Sequence, residues 1–213
     1  MEKNALVKDE WQRCVDFHGH VCPGLAIGYK AAQIGMRELR EWCAQQGVDI
    51  GEVVAIVQND ACGVDAVQVL TSCTFGKGNL LFRDHGKQVF TFVRRTDGQG
   101  IRVALKFGVL ENKSHQELRA KVMGGIGSDE EVAAFQAGQR ELARRIVEGE
   151  AAEFFVWRSV QIALPGGPKL NPTVSCAFCG EGVMEQRAHV REGKIACPEC
   201  SEKYESRVLV LNK

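Results

Sequence analysis

Residues 176–200 read Cys176-Ala-Phe-Cys179-Gly-Glu-Gly-Val-Met-Glu-Gln-Arg-Ala-His-Val-Arg-Glu-Gly-Lys-Ile-Ala-Cys197-Pro-Glu-Cys200, two CxxC pairs with seventeen residues between them. Two close pairs of thiolates, each bent by a tight turn, supply the four soft ligands that zinc accepts in tetrahedral geometry. Gly180, directly after the second ligand, suits a knuckle in which the backbone turns under the metal with φ > 0. Two disulfides would need an oxidising compartment. The charged N-terminus MEKNALVKDEWQRC has no hydrophobic signal region, so nine cysteines point to a reducing cytoplasm and to thiols as ligands or reactive groups. The spacing therefore predicts that Cys176, Cys179, Cys197 and Cys200 bind zinc, and that this end folds around the metal instead of a large apolar core.

Upstream, Pro165-Gly-Gly-Pro168 and Asn171-Pro172 form the proline-dense stretch of the chain and read as a linker. The expected organisation is a core over residues 1–164, a linker over 165–173 and a finger over 174–213. In the core, apolar spacing predicts a helix from Leu6 to Phe17 and another from Pro23 to about Cys43. Val53 to Val57 is a β-branched run expected as a buried strand, and Asp60 is placed to cap a helix from Ala61 to about Leu70. Leu80–Arg83 and Gln88–Arg95 read as strands joined by a turn at Asp84–Lys87. Arg102–Phe107 and Phe154–Leu164 are further strands. Between them, a short helix is expected from Leu118 to Met123. Ser128 with Glu131 reads as a capping box opening a helix that runs to about Gly149. Strands and helices alternate without a β-α-β rhythm. The fold class is α+β, a mixed or antiparallel sheet covered by helices, with a small zinc module appended.

The totals exclude little but bound much. Twenty-seven basic residues balance 27 acidic ones in 213, so no global field draws the chain to nucleic acid or anionic lipid. No apolar run approaches the length of a membrane span.

The chemistry concentrates at Phe17-His18-Gly19-His20-Val21-Cys22-Pro23-Gly24. Two imidazoles and a thiol in one turn can converge on a transition metal. The helix that follows should favour a Cys22 thiolate through its unpaired amides. One turn rarely completes a ligand sphere, and Asp60-Ala-Cys62-Gly63-Val64-Asp65 is the second source. The expected core ligands are His20, Cys22 and Cys62, binding zinc, nickel or iron, with His18 and Asp60 as outer or proton-transfer groups. Ser72–Gly78, carrying Cys73 and Lys77, resembles an anion-receiving loop with exposed amides, although it lacks the phosphate-loop pattern. Gly24, Gly28 and Gly35 leave one helix face bare, a place for close backbone approach and for a partner.

FHGHVCPGLAIGYKAA, QNDACGVDAVQVLTSCTFGKGNL and the terminal CxxC pairs together resemble the FmdE-like family of formylmethanofuran dehydrogenase proteins. The resemblance implies an α+β core with a treble-clef zinc finger, assembled as an intertwined homodimer. It further implies association with the molybdenum or tungsten enzyme that reduces CO₂ at the start of methanogenesis, hence redox-enzyme subunits as partners. His18, His20 and Cys22 match the first motif, and Cys62, Asp65, Cys73 and Lys77 the second. Ser72 stands where glycine is common. Glu181, Glu185 and Arg187 sit as in the family's finger.

Two functions follow. One is an enzyme or accessory subunit of one-carbon metabolism with a metal in the core, for which His18, Asp60 and Lys77 are the catalytic candidates. The other is a regulatory or interaction module acting through the finger. Lys194, Arg187, Arg191, Lys203 and Arg207 are interleaved there with Glu181, Glu185, Glu192, Glu199, Glu202 and Glu205, which weighs against nucleic acid and favours a structural or protein-contact role. Thiol redox chemistry is a third reading, disfavoured because the core has no CxxC.

Overall fold

A computed structural model describes residues 9–110, 113–167 and 169–201. The chain divides into a unit over residues 1–167 and a second over 168–213. In the first, α1 (Glu10–His18), α2 (Pro23–Gln46), β1 (Val53–Val57), α3 (Gly63–Thr71), β2 (Leu80–Phe82), β3 (Val89–Arg94) and β4 (Gln99–Leu105) are followed by α4 (Lys113–Met123), α5 (Asp129–Glu148), α6 (Ala151–Phe154) and β5 (Phe155–Gln161). The second unit holds two hairpins, β6 (Thr173–Ser175) with β7 (Gly182–Met184) and β8 (His189–Arg191) with β9 (Lys194–Ala196). No helix among the described residues is long and apolar enough to cross a membrane.

The core sheet is mixed, in the order β2-β1-β3-β4-β5, with β1 and β2 parallel and the other pairs antiparallel. β1 and β3 are buried along their whole length, as their unbroken apolar runs require. Phe90, Phe92, Phe154 and Phe155 are among the largest fully buried side chains, each contributing about 1.5–3 kcal/mol relative to exposure. Helix α2 carries Ala31, Ile34 and Leu39 into this core, beside Ala143 and Ile146 of α5. A Cβ on Gly35 would stand 2.0 Å from the Phe92 ring. The bare position therefore lets α2 lie directly on β3.

Local signals in the sequence are visible in the backbone. Ser128 accepts from the Glu131 amide and Glu131 returns the bond to the Ser128 amide, so α5 opens on the full capping box. Gly47, at φ 65°, closes α2. Cys14 and Cys43 are buried, and burial pushes the Cys14 thiol up to about 12, as befits a small apolar residue.

Other expectations are corrected. Leu80–Arg83 and Gln88–Arg95 do not form a hairpin, because β1 lies between β2 and β3. The Asp84–Lys87 segment instead crosses the end of β1, with the Arg83 amide donating to Val57 and the Lys87 amide to Gln58. β4 starts earlier than expected, at Gln99 opposite Gln161, and ends before Phe107, which is fully exposed. β5 is shorter, because α6 precedes it and the strand stops at Gln161. Helix α4 begins at Lys113, five residues before the expected Leu118. Asp60 does not cap α3. Cys62 is the residue before that helix, without a side-chain cap, and Asn59 shapes the approach by accepting from the Ala61 amide. Leu6 and Val7 of the expected first helix lie outside the described residues, among which α1 begins at Glu10 with Asp9 accepting from the Gln12 amide.

Ser72 closes α3 at φ 56°, in the left-handed region that costs a side chain about 1–2 kcal/mol. A Ser72→Gly chain is expected to gain stability, net roughly 0.5–1 kcal/mol after the extra entropy of unfolded glycine. Urea unfolding measures it, and an unchanged or lower midpoint would show that the serine is not strained.

Candidate metal centres

In the C-terminal unit the four thiols converge, all Sγ atoms lying within 4.8 Å of one another. The Cys179 and Cys197 sulfurs are 3.9 Å apart, close to the edge of a tetrahedron with metal–sulfur bonds of about 2.3 Å. Gly180 takes φ 78° and its amide donates to the Cys176 carbonyl, the knuckle expected of a glycine at this place. The backbone amides of Cys179, Cys197 and Phe178 draw the Cys176 thiol down to about 6. The hydrogen bond with Cys197, followed by burial, pushes Cys200 up to about 12. Such crowding lets four thiolates coexist only around a cation. The donor set and spacing fit a small zinc-binding module. Arg191 lies 4.7 Å over the Phe178 ring and donates to the Cys200 carbonyl, tying the second hairpin to both knuckles. Glu202, Lys203, Glu205 and Arg207 of the expected finger fall outside the described residues.

In the core unit, the ends of three helices meet. His18 is the last residue of α1, and Gly19 at φ 90° then reverses the chain, which brings His20 and Cys22 back toward it. Potential ligand atoms of His18, His20 and Cys22 all lie within 4.8 Å of one another, and the two imidazole rings are 4.4 Å apart. His18 Nδ1 is 2.7 Å from Asp65 Oδ2 on α3. A carboxylate accepts, so Nδ1 donates to Asp65 and Nε2 is left to accept from the Cys22 thiol, whose Sγ is 3.8 Å away. Asp65 thus stands hydrogen-bonded behind His18, and His18 lies with His20 and Cys22 in one cluster, whereas Cys62, expected in it, is not among the three but faces Cys22.

Cys62 arrives through a contact between glycines. A Cβ on Gly28 would lie 2.0 Å from the Gly63 carbonyl oxygen, so α2 and α3 touch backbone to backbone. A Cβ on Gly24 would lie 3.6 Å from Cys62 Sγ and 3.8 Å from Cys22 Sγ, so the two thiols face each other across that glycine. The bare helix face is occupied within the chain by α3 and Phe92. Burial, the largest cause, pushes the Cys22 thiol above its ordinary value, although the Leu25 amide opposes it, and the neighbouring Cys62 adds to the rise. The helix end alone therefore does not make Cys22 a thiolate, as the sequence had suggested. A cation beside it would.

The remaining candidates sit apart. Cys73 is fully buried at the far end of α3, where its thiol donates to the Val53 carbonyl. Lys77 donates to the Ser72 carbonyl, and the amides of Cys73, Thr74, Lys77 and Gly78 are bonded within residues 71–79. Most of the exposed amides expected of an anion-receiving loop are thus already satisfied. Asp60 is exposed and lines a cavity of about 480 Å³ with His18, Cys62 and Asp65. A second cavity, about 730 Å³, opens on His20, Cys22 and Cys62 and reaches Arg119 and Arg140. Sequence reasoning missed these two arginines, since on α4 and α5 they follow no pattern that separates them from the other surface charges.

Comparison with known proteins places this arrangement. A protein of Archaeoglobus fulgidus named "Probable S-adenosyl-L-methionine-binding protein" is 33% identical over 199 residues, 90% of this chain and 52% of its own length. The chain thus spans about half of that relative. The crystal structure of a tungsten formylmethanofuran dehydrogenase FmdE-like protein from Syntrophus aciditrophicus shares the fold, with a TM-score of 0.62 and 23% identity over 94% of this chain and 96% of that one. The sequence model of the FmdE family, described as "Molybdenum formylmethanofuran dehydrogenase operon", matches residues 17–156. That stretch runs from the His18–Cys22 turn through the Cys62 junction to the last core strand, and the chain belongs to the FmdE family.

Proposed function

We propose that this chain is a metal-binding accessory subunit or enzyme of formylmethanofuran dehydrogenase-type one-carbon metabolism, with a transition metal in the core and a structural zinc in the C-terminal module. The observation that carries it is the convergence of His18, His20 and Cys22 with Asp65 hydrogen-bonded behind His18. His18 Nε2, His20 and Cys22 Sγ hold the ion, and Cys62, facing Cys22, closes the set. Two imidazoles with two thiolates suit zinc, iron or nickel. Such an ion supplies a Lewis-acidic centre or, if iron or nickel, an electron-transfer centre. Asp65 fixes the His18 tautomer, and Asp60, exposed at the mouth of the neighbouring cavity, is placed to exchange protons with solvent.

Elemental analysis of the purified full chain tests the reading. Two metals per chain are expected, with one lost in Cys22→Ser and the other retained. Asp65→Asn is expected to weaken the core metal by about 10- to 100-fold while leaving the finger metal in place. A single metal that disappears with Cys179→Ser would sink the core site.

A second reading rests on the module itself. Val190 (81% exposed), Met184 and Ile195 present apolar side chains to solvent on its hairpins. That favours protein contact over nucleic acid, and fits the intertwined homodimer that the family resemblance implies. Light scattering of the full chain decides the assembly; a monomer at all concentrations would overturn it.

A further inference from the structure

The larger cavity beside the core cluster carries two groups that metal binding does not use. It measures about 730 Å³ and extends from His20, Cys22 and Cys62 to Arg119 of α4 and Arg140 of α5. No aspartate or glutamate lines it. Of the neighbouring acids, Glu131 of α5 is paired with Lys121, Glu141 and Glu148 with Arg144, and Glu153 of α6 with Arg145. Arg119 and Arg140 have no carboxylate partner among the described residues. Helix α5 therefore neutralises its other arginines and leaves uncompensated the one that faces this cavity. An unpaired guanidinium presents a planar fork of donors matched to a carboxylate or phosphate. Two of them in a cavity of metabolite size that also holds thiols and an imidazole define a bipolar ligand site.

We propose that this cleft binds a small organic anion, its carboxylate or phosphate held by Arg119 and Arg140 and its other end directed at His20, Cys22 and Cys62. Phe135, itself buried, lines the cleft and gives it an apolar wall. That the anion meets a metal rests on the reading above. That it meets two guanidinium groups does not.

Calorimetric titration of the full chain with succinate and with glycerol 2-phosphate, at constant ionic strength, tests the site. At least one probe is expected to saturate, and the tighter one names the oxyanion. Arg119→Gln and Arg140→Gln should each weaken it by about tenfold and the double variant by about a hundredfold, with Arg140→Lys between wild type and Arg140→Gln. Both side chains are exposed, so thermal melts should stay unchanged and separate lost binding from lost fold. Equal affinity in the double variant, or no saturation of wild type by either probe below about 10 mM, overturns the proposal. Metal content is measured on the same wild-type samples. A chain without core metal that keeps the arginine dependence defeats only the metal reading, whereas core metal without arginine dependence defeats only the oxyanion site.

Discussion

A Gly28→Ala chain should lose both stability and the geometry of the core cluster. The added methyl would stand 2.0 Å from the Gly63 carbonyl oxygen and 2.4 Å from the Gly63 Cα. These are backbone atoms on a neighbouring helix, so no side chain can swing aside. Alanine improves helix propensity by about 1 kcal/mol. Overpacking against backbone outweighs it, and a net loss of about 2–3 kcal/mol is expected. That corresponds to a melting point lower by roughly 4–12 °C for a chain of this size. The larger consequence is chemical. α3 must move away from α2, which separates Cys62 from Cys22 and Asp65 from His18, so a metal held in the proposed core site should be lost while the finger metal stays. Gly76→Ala is the control, because nothing lies within 4 Å of its added methyl. Thermal melting with elemental analysis reads both effects. A Gly28→Ala protein with the wild-type melting point would show that the helices can part without cost, and the contact would not be what places the cluster.

Removal of the C-terminal metal should unfold its module outright. Among the described residues after 168, only Cys176, Ala196 and Cys197 are buried and apolar, which is too little to hold two hairpins together. Metal binding there is folding free energy. Treatment with a strong chelator, or Cys197→Ala, is expected to abolish the dispersed amide resonances of residues 173–196 and open them to protease. The resonances of the buried β1 and β3 strands should persist. Acid acts in the same direction, since each thiolate must be protonated as the metal leaves, so affinity falls as pH falls. Cys176, drawn down to about 6 by three amides, is the last of the set to take its proton. Hairpin resonances that survive chelation would mean that the module folds without metal.

Much of this was legible in the chain, for reasons that differ by element. The Ser128–Glu131 box, the apolar run of β1 and the Gly180 knuckle each rest on interactions within a few residues, so local pattern suffices. The Asp84–Lys87 hairpin failed because turn residues between two apolar runs do not say which strands pair, and the parallel partnership of β1 with β2 is non-local. Asp60 failed as a cap because Asn59, one residue earlier, shapes the turn. The Cys22 thiolate was expected from its helix end. Burial and the second thiol, neither visible in sequence, reverse the direction.

Spacing by itself determined the four-thiol cluster of the C-terminal module, because thiols in two short turns can converge without help from elsewhere. It also determined that His18, His20 and Cys22 share one turn. What the tertiary structure alone decided is what surrounds that turn. The glycine contact between α2 and α3 sets Cys62 and Asp65 against it from about forty residues away, and the packing of α4 and α5 brings Arg119 and Arg140 to the same cavity. Side chains close in sequence are brought together by chain geometry, whereas those from separate helices are brought together by how closely the backbones can approach.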